Sequence, residues 1–179
     1  MVRDVKKQAL QALSFLVTLA VVIGVLKLVN WAPRALEPGL MAEYPSIDAV
    51  EATLAVRKVY VPAYFPETIN WPPATILAQS KPYLAVVMKF ARAGDGATVL
   101  VISQAASQNF QPDVPIRFHA ITETVPLVLK GRSARLEAGT CEDRTACSRI
   151  EWDEGDVHIM LTMKSPSVEL IRIAASMLH

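Results

Sequence analysis

Apolar residues run almost unbroken from Ala9 to Val29 (ALQALSFLVTLAVVIGVLKLV), with no acid and a single base, Lys27, near the far end. A helix rises about 1.5 Å per residue, so roughly 20 residues cross a hydrocarbon layer about 30 Å thick. The stretch is just long enough, and the pattern predicts a transmembrane helix over residues 9–31. Lys27 would snorkel its ammonium to the interface, and Trp31 falls at the depth of the aromatic belt. Arg3, Lys6 and Lys7 outnumber Asp4 before the helix. Positive residues stay inside, which places a cytoplasmic tail at residues 1–8 and the remainder across the membrane. Two other readings stay open. A cleaved signal peptide shares the basic start and apolar middle, although Asn30-Trp31-Ala32-Pro33 offers no small-x-small cleavage site. A buried helix of a water-soluble globule is the other.

Beyond the span the pattern changes. Pro33, Pro38, Gly39 and Pro45 interrupt any continued helix, and residues 32–45 read as a linker. Ser46 then stands as an N-cap, with Ile47, Val50 and Leu54 at helical spacing behind it. Val59 and Val61 suggest a brief strand, after which Pro62 and Pro66 bracket Ala-Tyr-Phe. Strand patterns follow at 74–79, 83–92 and 97–103, the last two nearly continuous in apolar residues and joined by Gly94-Asp95-Gly96. Residues 105–114 break the pattern as a loop. Strands are expected again at 117–124, at 125–129 with Pro126 weakening it, and at 133–138 ending at Gly139. The clearest hairpin is Ser148–Trp152 with Val157–Met163, where large apolar residues alternate at period two. A last helix is expected after Pro166, capped by Ser165 or Ser167, with Val168, Leu170, Ile171, Ala174, Ala175 and Leu178 inward. The fold class is α+β: an N-terminal transmembrane helix, then an antiparallel sheet domain over residues 46–179 with flanking helices.

Charge narrows the partners. The chain of 179 residues has a net charge of +1. Taking the four bases up to Lys27 from the total of 18 and Asp4 from the 17 acids leaves 14 against 16, or −2, for the rest. That balance lacks the basic footprint of a nucleic-acid binder. The two cysteines, Cys141 and Cys147, lie close together in CEDRTAC. An even count, short spacing and an address outside the cytoplasm point to a disulfide, worth about 2.4 kcal/mol for so small a loop; free thiols and a metal or redox role are the alternatives.

Several residues invite a resemblance. Val61, Pro62, Tyr64, Pro66 and Glu67 follow a V-P-x-Y-L-P-E-G pattern, with Phe65 for the Leu and Thr68 for the Gly. Trp152, Gly155, Leu161, Ile173, Ala174, Ser176 and Leu178 match residues of a closing W-x-x-x-G-x-x-Y-x-L segment and its terminal helix, with Gly155 one place early and Leu161 one place further from it than the pattern has. Over about 130 residues the chain resembles an uncharacterised extracytoplasmic domain of bacterial single-pass membrane proteins, some associated with sporulation and anti-sigma regulation. The resemblance implies an α+β domain on the outer side of the membrane and a sensing or regulatory role.

Candidate chemistry is sparse. No GxSxG, HExxH, P-loop or dinucleotide fingerprint occurs. Asp153, Glu154 and Asp156 cluster at a hairpin tip without EF-hand spacing, and His119, His158 and His179 are scattered. No catalytic residue, cofactor site or metal site is expected. An enzyme would need His119 or His158 in a cleft beside a carboxylate. Tyr64, Phe65 and Trp71 form either an aromatic plug on the sheet or an exposed face for a partner. The leading expectation is a protein-interaction domain of the cell inner membrane, single-pass with its C-terminal domain periplasmic. It would meet the bilayer through residues 9–31 and serve as an accessory subunit or assembly factor of a membrane complex. The alternative is an envelope sensor binding a small ligand or signal.

Overall fold

The computed structural model describes residues 17, 18, 21–23, 41–56 and 58–178. The chain divides into two units, Met1–Leu40 and Met41–His179. In the first, the described residues are helical, and Val17, Val21, Val22 and Ile23 are each about half exposed. The rest of the Ala9–Val29 span, with Lys27 and Trp31, lies outside the described residues. Among the described residues no helix is long and apolar enough to cross a membrane.

The second unit is α+β. Its strands are β1 (Ala42–Tyr44), β2 (Thr75–Gln79), β3 (Ala85–Ala91), β4 (Thr98–Ala105), β5 (Phe118–Leu129), β6 (Arg132–Cys141), β7 (Ala146–Glu154) and β8 (Val157–Met163). Helix α1 (Ile47–Leu54) follows β1, and helix α2 (Ser167–Ser176) ends the chain. The strands form one sheet in the order β1-β2-β3-β4-β8-β7-β6-β5, antiparallel at every pairing. Two meanders, β2–β4 and β5–β8, meet where β4 pairs with β8. Residues 106–117 carry the chain from β4 to the far edge, where β5 begins.

Side-chain alternation divides the sheet into two faces. On the first, Met88, Phe90, Leu100, Ile102, Ile150 and Leu161 are fully buried with Leu170 and Ile173 of α2. Each such side chain contributes about 1.5–3 kcal/mol on leaving water. The second face carries a smaller cluster of Val87, Val101, Ile116, Cys141 and Cys147, partly roofed by Phe110 and Val114 of the 106–117 connection.

Local chemistry explains the elements. The Ser46 Oγ accepts from the Ala49 N–H at 3.1 Å and caps α1, whose Val50 is fully buried. Between β5 and β6, Lys130 and Gly131 both have positive φ (47° and 83°), the geometry of a two-residue hairpin turn that matches strand twist.

Several expectations need correction. The linker is shorter than residues 32–45, because Ala42–Tyr44 pairs with Ile76–Ala78. Residues 58–61 form no strand. The Gln104 side chain serves there as a surrogate ladder, its Oε1 accepting from the Tyr60 N–H at 2.8 Å and its Nε2 donating to the Tyr60 carbonyl. The two strands expected at 117–129 are one edge strand with two register shifts, and Pro126 is accommodated because it lies on that edge. Gly139 does not end β6 but lies inside it, where a Cβ would collide with the Ala120 carbonyl oxygen of β5. Neither Ser165 nor Ser167 caps α2; no side chain does. The buried residues of α2 are Leu170, Ile173 and Ala174, continued by Met177 and Leu178 beyond its end; Ile171 and Ala175 pack half-buried against the same core, while Val168 is exposed.

Candidate interaction surface

The segment 62–73 is strapped beside β3. The Asn70 N–H donates to the Ala91 carbonyl at 2.9 Å, the Ala93 N–H to the Thr68 carbonyl at 2.9 Å, and the Ala74 N–H to the Lys89 carbonyl at 2.8 Å. This brings Phe65 and Trp71 onto Phe90. The Phe65 ring centroid lies 5.4 Å from that of Trp71 and 5.0 Å from that of Phe90. Such pairs contribute about 0.5–1.5 kcal/mol beyond area burial. Tyr64 turns the other way, onto α2. Its N–H donates to Ser176 Oγ at 3.2 Å, its hydroxyl to Glu169 Oε2 at 3.3 Å, and the Arg172 guanidinium sits 4.7 Å from its ring. Tyr64 and Phe65 are therefore half-buried fasteners, and of the three expected aromatics Trp71 alone, 54% exposed, presents a broad surface.

A polar strip crosses the second face, built by register. Glu137 lies opposite Arg149, Arg135 opposite Glu151, and Asp153 opposite His158. Opposite charges directly across an antiparallel pair attract. Arg135 Nη2 reaches Glu151 at 2.6 Å and Glu137 at 3.7 Å, and Arg149 Nη1 reaches Glu137 at 3.3 Å. The strip continues to His158, whose Nδ1 is 2.8 Å from Asp153 Oδ1 and whose Nε2 is 3.8 Å from Glu151 Oε2. Ser133, Thr124 and Pro126 join Arg135 and His158 around an open hollow of about 310 Å³. The condition of a histidine in a cleft beside a carboxylate is thus met at His158 and not at His119, which is exposed on β5. A nucleophilic triad needs a hydroxyl or thiol at the free ring nitrogen. Here Nε2 faces a carboxylate already held by Arg135, and among the described residues no hydroxyl or thiol hydrogen-bonds to it.

The cysteine loop closes one end of this face. A disulfide joins Cys141 and Cys147, with their Cα atoms 5.1 Å apart. Inside the loop, Asp143 accepts from Lys164 Nζ at 2.7 Å and from the Thr145 hydroxyl at 2.6 Å. Lys164 foremost, then Thr145, holds the Asp143 carboxyl well below the usual carboxylate range. On the opposite face of the same strands Arg132 grips Glu154 through two bonds of 2.9 Å, which lowers the Glu154 pKa and raises that of Arg132. Asp153 and Glu154 thus serve different partners. Among the described residues no group of three or more His, Cys, Asp or Glu side chains is placed to hold a metal ion.

No protein family, curated protein or solved structure matches this chain. The ion-pair strip escaped the sequence reading, although its signal was present. Arg135-x-Glu137 and Arg149-x-Glu151-x-Asp153 place charges at period two on two strands that become neighbours.

Proposed function

We propose that the chain is a membrane-tethered extracytoplasmic interaction domain, an accessory subunit or assembly factor of a complex in the cell inner membrane. The observation that carries the reading is the Cys141–Cys147 disulfide, a bond that persists in oxidising compartments and is rare in the cytosol. It accords with the apolar 9–31 segment, the positive-inside charges Arg3, Lys6 and Lys7, and the interface residues Lys27 and Trp31. The half-exposed Val17, Val21, Val22 and Ile23 suit lipid better than water. Trp71, with Phe65 and Phe90 fixing its base, is the face offered to a partner. We read the domain as non-catalytic, because the His158 ring nitrogen that would act as base is directed at Glu151.

The test is purification of the full chain, tagged after His179, from native membranes in mild detergent. Other membrane proteins should co-purify in fixed ratio, and Trp71→Ala should reduce their recovery severalfold with the fold retained. Recovery of the chain alone, as a monomer, would overturn the reading. The envelope-sensor reading is favoured by one feature, the hollows beside Arg149.

A further inference from the structure

We infer that the second sheet face holds a binding site for a small organic carboxylate, with Arg149 as its anion anchor. The 106–117 connection does not lie flat on the sheet. Beneath it is a hollow of about 180 Å³ whose walls include Val101, Val114, Met160, Gln111 and Thr162, with Arg149 as the one charged group. A wider hollow of about 500 Å³, lined also by Asp113, Arg117 and Phe118, again has Arg149 in its wall. Arg149 is therefore the one charged side chain common to both.

The guanidinium there is under-used. It has five N–H donors, and its one hydrogen bond runs from Nη1 to Glu137 Oε2 at 3.3 Å. Its Nε is buried without a partner. Phe118 holds the plane of the group in place, with ring centroid and guanidinium carbon 5.0 Å apart. Nε is closed off from any incoming atom, so Nη2 is the donor left for a ligand, and it can give a carboxylate a charge-assisted bond. The remaining walls are aliphatic and thioether surface with a few polar groups. That selects an anion with a short apolar body over a phosphate or a sugar. Glu137 opposes the anion and sets the affinity low. The site depends on neither the membrane tether nor a protein partner, so its failure and theirs are separable.

The probe is butanoate, titrated into full-length chain in lipid nanodiscs at constant ionic strength. The readout is the ¹³C-methyl resonance of Met160, assigned with Met160→Leu. Butanoate should shift that resonance saturably, and the neutral isostere butanamide should bind roughly tenfold more weakly or less. Arg149→Lys should weaken butanoate about tenfold, since it keeps the charge and loses the positioned Nη2 donor. Glu137→Gln should tighten it, an outcome that a purely structural ion pair would not give. Removing Arg149 alone leaves Glu137 unpaired, so the loss variant is Arg149→Gln with Glu137→Gln. A Met160 resonance that butanoate does not move would overturn the site. So would equal response to butanamide, or undiminished binding in the double variant.

Discussion

The two faces of the sheet are made from the same strands and solve different problems. Adjacent residues on β8 show it: Leu161 points to the helix-covered face and is fully buried, while Met160 points to the other and lines a hollow. The first face is closed by α2 and the 58–71 segment over aliphatic and aromatic side chains. The second has a short apolar cluster pinned by the disulfide and a strip of ion pairs from Glu137 to His158. The first face holds the fold together, and the second is free to carry polar chemistry because the first does not need it.

The largest expected break in that comparison is at Leu161. Leu161→Ala should cost about 2–5 kcal/mol, and Met160→Ala on the same strand roughly 1 kcal/mol or less. Denaturant unfolding of both variants checks this, and equal losses would erase the distinction between the faces. Next is Gly139. A methyl group there meets the Ala120 carbonyl oxygen, so Gly139→Ala should cost about 1–3 kcal/mol and loosen β5 from β6. Hydrogen exchange localised to residues 118–129 would show it.

The smallest effect is electrostatic and has a definite sign. The Asp143 pKa is depressed in the folded state, so the unfolded chain takes up a proton first as pH falls. Its contribution is present above the ordinary carboxylate range near pH ~4 and is lost as pH drops through the lower folded value. Lys164→Met removes the main cause, so stability should fall less steeply between about pH 5 and pH 2 than in the parent. Thermal unfolding across that range reads it, and identical slopes would contradict the assignment.

Much of the fold was legible because its signals are local. The Ser46 cap, the alternation in Val157–Met163 and the nearly continuous apolar runs of β3 and β4 each state their own structure. What stayed hidden depends on distant partners. Nothing near Gly139 says that β5 bends onto it. Gln104 gives no local sign that it would stand in for a strand at Tyr60. In α2 the period placed Val168 inward with Leu170 and Ala174, yet Val168 is exposed, because its burial depends on where the helix enters the sheet. At the candidate surface the aromatic residues were visible one by one, and only packing showed Tyr64 to fasten onto α2, Phe65 to be the base and Trp71 the free face. The partners of Arg149 depend on the register of three strands.

The central claim, a folded domain tethered on the outer side of a membrane, is tested most directly by protease access. Protoplasts carrying the full chain with an epitope after His179 would be treated with protease before and after lysis. The epitope should be lost from intact protoplasts while a cytoplasmic marker survives. An epitope protected until the membrane is broken would contradict the account.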